Sequence, residues 1–151
     1  MKNYSKYLIL IMMMFAGASY LSAQEFKAND ILGVWLNEDK DAHVRIYKEE
    51  GKFFGKIVWL KNPIDEETGK PKLDDENSDP ALQSRPIMGL VLLQDFEFDG
   101  DDEWEDGKIY DPKKGSTYSC YMELKSKDEL KIRGYIGVSL LGRTTYWTRV
   151  E

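Results

Sequence analysis

The chain has one cysteine and one histidine in 151 residues. A lone cysteine cannot close an internal disulfide, so nothing covalent staples the fold. A lone histidine, His43, excludes a metal site built on imidazoles and excludes a histidine-dependent triad unless His43 supplies the base. It sits at the start of a strand beside Val44, where a surface or rim position fits it better than catalysis. Gly137-Val138-Ser139 opens like a nucleophile elbow, but Leu141 stands where the closing glycine belongs, so that motif fails. Basic residues are also in deficit: 21 Lys and Arg stand against 27 Asp and Glu. An acidic chain repels nucleic acid and anionic lipid heads. There is no apolar run of the roughly 20 residues that a spanning helix needs.

What is present begins with the amino terminus. Lys2 and Lys6 precede an uncharged apolar stretch over residues 7–18, and Leu21-Ser22-Ala23 ends on a small residue. This is the three-part pattern of a cleavable secretory signal over residues 1–23, although Leu21 is bulky for its place. No cysteine follows the cut to carry a lipid, since the single one is Cys120. Residues 24–151 then form a single exported domain, expected in the periplasm or outside the cell. The two signal lysines leave with the signal: 21 less 2 is 19 basic residues against 27 acids, a balance of about −8. With 4 Trp, 9 Tyr and 6 Phe in the chain, a core can form without disulfides.

The periodicity is two wherever it is clear. Val44-Arg45-Ile46-Tyr47 alternates, Glu50-Gly51 offers a turn, and residues 52–60 return as a second strand. Leu90, Leu92, Phe96 and Phe98 share one parity, interrupted by Gln94. Tyr118, Cys120, Met122 and Leu124 share another, which places Cys120 inside as an inert thiol. Leu130, Ile132, Gly134 and Ile136 follow a polar turn, and residues 143–150 close the chain. With residues 32–37 and a short strand at 108–110, this makes about eight strands in up-and-down order, a sandwich or a barrel. Residues 62–86 break the rhythm with Pro63, Pro71 and Pro80 and the acidic run Asp74-Asp75-Glu76. They read either as a solvated crossover with a helical turn near 80–83 or as a lid across one barrel end. Tyr110-Asp111-Pro112 through Gly115 has the residues of a structural turn.

Gly33-Val34-Trp35 opens the first strand and Trp147-Thr148-Arg149 closes the last. In a closed barrel these strands are neighbours, so the Arg149 guanidinium can cover the Trp35 indole. A Gly-x-Trp answered by an Arg on the last strand resembles the signature of the calycins, which include the lipocalins. Further runs, Ile31-Leu32-Gly33-Val34-Trp35, Gly107-Lys108-Ile109-Tyr110-Asp111-Pro112, Gly115-Ser116-Thr117-Tyr118, Leu130-Lys131-Ile132-Arg133-Gly134-Tyr135 and Leu141-Gly142-Arg143-Thr144-Thr145-Tyr146-Trp147-Thr148-Arg149, resemble the uncharacterised bacterial secreted family termed domain of unknown function 2147. That resemblance implies an exported barrel-like domain with no assigned activity. The acidic stretch 99–106 is particular to this chain.

The fold expected is therefore all-β: a small antiparallel up-and-down β-barrel, lipocalin-like, with one long polar loop. The function expected is non-enzymatic binding of a small apolar or amphipathic molecule in the barrel mouth. Trp59, Tyr118 and Arg133 are the candidate lining residues, aromatic surface with one polar head. Gly33, Trp35, Trp147 and Arg149 are the structural signature. No cofactor is required, but Asp95, Glu97, Asp99 and Asp106 fall at positions one, three, five and twelve of a partial EF-hand calcium loop with Gly100 at six. Against calcium stand Glu97 at position three, the short Asp106 at twelve and the strand-like alternation of Phe96 and Phe98. Two other functions stay open: an envelope adaptor, which needs an exposed apolar patch, and a hydrolase built on a buried Asp or Glu of raised pKa.

Overall fold

The computed structural model of the chain describes residues 25–150. The expected signal, 1–23, lies outside the described residues. A single 3-10 turn, Ala28–Ile31, precedes eight strands: β1 Gly33–Leu36, β2 Ala42–Glu49, β3 Lys52–Leu60, β4 Val91–Phe98, β5 Glu103–Asp111, β6 Ser116–Leu124, β7 Glu129–Tyr135 and β8 Gly142–Arg149. Each pairs antiparallel with the next, and β8 returns to β1, giving a closed barrel. Closure pairs Trp35 with Arg149 and Leu36 with Thr148, so no strand edge is left to recruit another chain. Among the described residues no helix is long and apolar enough to cross a membrane.

Alternation decides which residues face inward. Cys120, Met122 and Leu124 on β6 are buried, as are Leu130 and Ile132 on β7, as the period of two requires. β5 begins earlier than expected. Glu103 to Asp106 read as acidic loop, yet Trp104 is fully buried there while its acidic neighbours stay on the other face. A bulge between Trp104 and Gly107 shifts the parity and hides the alternation from a count along the chain. β4 is also irregular against β3, slipping between Phe53 and Gly55 and again between Gly55 and Lys56. Leu93 is thereby turned fully into the core beside Leu92, and Gln94 is the residue displaced from the inward set.

The two barrel ends are packed differently. At one end, where the turns β2–β3, β4–β5 and β6–β7 lie, Trp35, Phe53, Phe96, Trp104, Met122, Leu124 and Leu130 are all nearly or fully buried. Trp104 meets Phe53 edge-on, with centroids 6.2 Å apart, a favoured aromatic geometry. A Cβ at position 107 would lie 2.4 Å from the Phe96 ring, so Gly107 is what lets that ring fill the axis. The 3-10 turn plugs this end. Trp35 Nε1 donates to Ile31 O at 2.9 Å and Trp104 Nε1 to Ala28 O at 3.2 Å, so both buried indoles are satisfied. Arg149 lies 4.1 Å from the Trp35 ring and donates to the carbonyls of Leu32, Asp30 and Lys127. Burial disfavours the Arg149 charge, and the three carbonyls with the indole face offset that cost.

Candidate functional site

The opposite end carries the loops 37–41, 61–90, 112–115 and 136–141, and here the barrel is hollow. A cavity of about 1090 Å³ runs from the mouth into the upper half of the barrel. Its inner wall is made by Val44, Ile57, Leu92, Ile109, Ile132 and Trp147, each the inward member of its strand. Gly134 contributes space rather than surface, since a Cβ there would already touch Ile109 at 3.2 Å. The closed end stops the cavity because bulky aromatic side chains, Phe53, Phe96 and Trp104, fill the axis there. An apolar inner wall with many charged loop residues in the outer lining suits a small molecule with an apolar body and a polar end.

The 61–90 loop lies over this mouth. It supplies Pro71, Leu73 and Ile87 to the cavity wall and holds itself by the bridges Ile64↔Pro71 and Leu73↔Pro86. The expected helical turn near 80–83 is a run of hydrogen-bonded turns, with Leu82 N donating to Asp79 O and Gln83 N to Pro80 O. The loop is tied to the barrel by Asp74, whose surface is fully buried. Its Oδ1 accepts from Tyr110 Oη at 2.5 Å, and its Oδ2 accepts from Asn77 Nδ2 at 2.8 Å and Arg85 Nε at 2.7 Å. Burial alone would push this carboxyl up, but the bonds from Tyr110, Asn77 and Arg85 outweigh it and hold the pKa below the ordinary value. Tyr110, on β5, is pushed up in turn by its own burial and by Asp74. A second tie is steric. Gly115 has φ +62° and its missing Cβ would lie 1.7 Å from Glu76 O, so only glycine lets loop and turn approach so closely.

Charged residues of the loops line the outer part of the cavity. Lys113 reaches both Asp39 and Asp41 at 3.1 Å, and Arg143 lies 3.8 Å from Glu38. Burial raises the Asp41 carboxyl, but bonds from Asn37 and Lys113 bring it below its ordinary value. These pairs link loop 37–41 to the neighbouring loops, and their side chains belong to the cavity lining.

The residues expected to line a pocket are separated by the structure. Tyr118 is in the cavity wall. Trp59 is not: the register slips between His43 and Val44 opposite β3, so Trp59 leaves the inward parity and stacks outside on His43, centroids 4.4 Å apart. Arg133 is corrected too. It alternates with the inward Ile132 and Gly134, and its guanidinium binds Ser139 O, Leu140 O and Thr144 Oγ1 on the outer face. Of the signature residues, Trp35 and Arg149 meet as expected, and with Gly33, at φ +131°, they sit at the closed end. Trp147 does more, since it forms part of the cavity wall. Cys120 is buried and its thiol is pushed well up by desolvation.

The four calcium candidates are spread over two strands and a turn. Glu97 pairs with Lys52 at 2.8 Å, and Asp99 Oδ1 accepts from the backbone of Asp101 and Glu103. Asp95 and Asp106 occupy positive-φ positions on β4 and β5. Among the described residues, no three His, Cys, Asp or Glu side chains are placed to hold a metal ion. The carboxyls that burial and like charge push up are Asp102 and Glu103, at the closed end and far from the cavity.

Comparison with known proteins fits this architecture. Residues 33–149 match the family described as an uncharacterised protein conserved in bacteria (DUF2147). No curated protein matches the chain. Among solved structures, the protein HP1028 of the human pathogen Helicobacter pylori, described as belonging to the lipocalin family, is 25% identical to this chain with a TM-score of 0.68, over 80% of this chain and 82% of its own.

Proposed function

The chain belongs to the bacterial family DUF2147 and has a lipocalin-like fold, and we propose that it is an exported binding protein for a small apolar or amphipathic molecule. The observation that carries the reading is the cavity of about 1090 Å³ with aliphatic and indole walls. That volume is slightly above the range of about 300–1,000 Å³ of ordinary small-molecule sites. A ligand there displaces water from apolar surface, worth roughly 25 cal/mol per Å². The apolar part of the ligand lies against Ile132, Ile109 and Trp147, and its polar end faces Tyr118 and the charged mouth. The amino-terminal pattern of residues 1–23 supports delivery to the periplasm or beyond.

A hydrolase is less well supported. It needs a carboxyl of raised pKa in the cleft, and the buried carboxyl at the mouth, Asp74, is held low and already accepts three partners. The test is native mass spectrometry of protein purified from its own envelope, with titration of an apolar fluorescent probe. Wild type should carry, or take up, one molecule. Thr145→Trp, which fills the cavity from β8, should abolish uptake with its far-ultraviolet spectrum unchanged. A wild type that carries nothing and binds no apolar probe would remove the proposal.

A further inference from the structure

The most exposed apolar surface of the described chain is the β7–β8 loop, residues 136–141. Ile136 is 71%, Val138 58%, Leu140 87% and Leu141 74% exposed. From Tyr135 to Gly142 there is no charged residue, in a chain where 32% of residues are charged. Arg133 and Arg143 stand on either side. Single exposed aliphatics need no explanation, but four on one loop do.

We propose that this loop seats in the interfacial layer of a zwitterionic lipid surface and turns the barrel mouth towards it. The proposal goes beyond ligand binding and does not depend on it. Its first support is the loop's own backbone. Arg133 donates to Ser139 O and Leu140 O, and Leu141 N donates to Val138 O at 3.0 Å. Carbonyls that would be costly in an apolar medium are thus satisfied before the loop arrives. The second is the flanking chemistry. Tyr135 and two arginines at the base of an apolar tip are the residue types that sit at headgroup level. The third is size: six residues are far fewer than the 20–30 a side of a stable protein interface, whereas a small apolar tip is enough for a shallow insertion. The fourth is continuity, since Ile136 and Leu141 also line the cavity. The acidic balance of the chain selects zwitterionic over anionic lipid.

The test is co-flotation with phosphatidylcholine vesicles, using wild type and variants purified from the same envelope so that all share one amino terminus. Wild type should float with the vesicles. Leu140→Asp should bind about tenfold more weakly or worse, the equivalent of losing one buried Leu, with an unchanged melting midpoint. In Leu140→Trp the added emission should shift to the blue on vesicles. Equal flotation of wild type and Leu140→Asp, no flotation of either, or an unshifted Leu140→Trp would each overturn the proposal. So would a wild-type dimer abolished by Leu140→Asp without vesicle binding, which would make the loop a contact between copies of the chain. Uptake of a water-dispersed apolar probe reads the cavity alone, so failure here is distinguishable from failure of the binding function.

Discussion

Replacing Asp74 by Asn should loosen the 61–90 loop from the barrel, and the cost can be worked from its bonds. Asn keeps an oxygen for Tyr110, but that bond falls from charge-assisted to neutral, from about 1.5–3 to about 1 kcal/mol. At the other position an amide now faces Asn77 Nδ2 and Arg85, so donor meets donor where Asp74 Oδ2 accepted at 2.8 and 2.7 Å. The Arg85 side chain is 36% exposed and can rehydrate, so its share is discounted towards that of a surface pair, under about 1 kcal/mol. The total is about 2–4 kcal/mol at pH 7. With a urea slope of about 2 kcal/mol per molar, the midpoint should fall by about 1–2 M. If the loop opens before the barrel unfolds, limited proteolysis between residues 61 and 90 will accelerate more than the midpoint moves. Acid gives a second reading. The native Asp74 pKa is lowered, so its contribution is complete above the unfolded value of about 3.9 and is lost as pH falls through the native value. The gap between wild type and Asp74→Asn should therefore be constant near neutrality and close below about pH 4. A gap under about 0.5 kcal/mol, or one of unchanged size from pH 7 to pH 3, would refute this account of the latch.

Other consequences follow from the same geometry. Gly115→Ala combines a φ of +62° with a Cβ 1.7 Å from Glu76 O, so it should destabilise by about 1–3 kcal/mol in urea. Gly137→Ala, at φ +73° with open space around it, should cost about 1 kcal/mol. Arg149→Met removes the guanidinium from the Trp35 face and frees three carbonyls, and should cost about 2–4 kcal/mol by chemical denaturation. Probe uptake should survive in that variant, because the packed aromatic end separates Arg149 from the cavity, and Arg149→Lys should recover little of the loss. Calcium and a chelator should leave the melting midpoint unchanged, because Asp99 is occupied by turn amides and Glu97 by Lys52. A shift of several degrees would restore the calcium loop.

The strand count, the closure of β1 on β8 and the Trp35–Arg149 contact were legible because they depend on local alternation and on order along the chain. Tyr118 was legible as a cavity residue for the same reason: β6 runs without a bulge from Tyr118 to Leu124. Trp59 was misread because a register slip at His43 and Val44 reverses the parity of the last residues of β3. Leu93 and Trp104 were hidden by the same kind of event. A bulge is one extra residue, and nothing in its composition marks it. Arg133 was chosen for its side-chain chemistry, which says nothing of the face it occupies.

The sequence by itself determined an acidic, disulfide-free, all-β chain whose first and last strands meet, with imidazole metal sites excluded. Period-two patterning and residue counts carry that much, because they act within one strand or over the whole chain. Only the tertiary structure decided that one barrel end is solid and the other hollow. That depends on the bulk of the inward side chains, aromatic at one end, with Phe96 over Gly107, and mostly aliphatic below the mouth at the other. It also decided what the acidic run at 74–76 is for. Asp74 is a solvated charge in the sequence and a buried latch in the fold, because Tyr110 on β5, 36 residues away, and Arg85 across the same loop are brought within hydrogen-bonding distance of it.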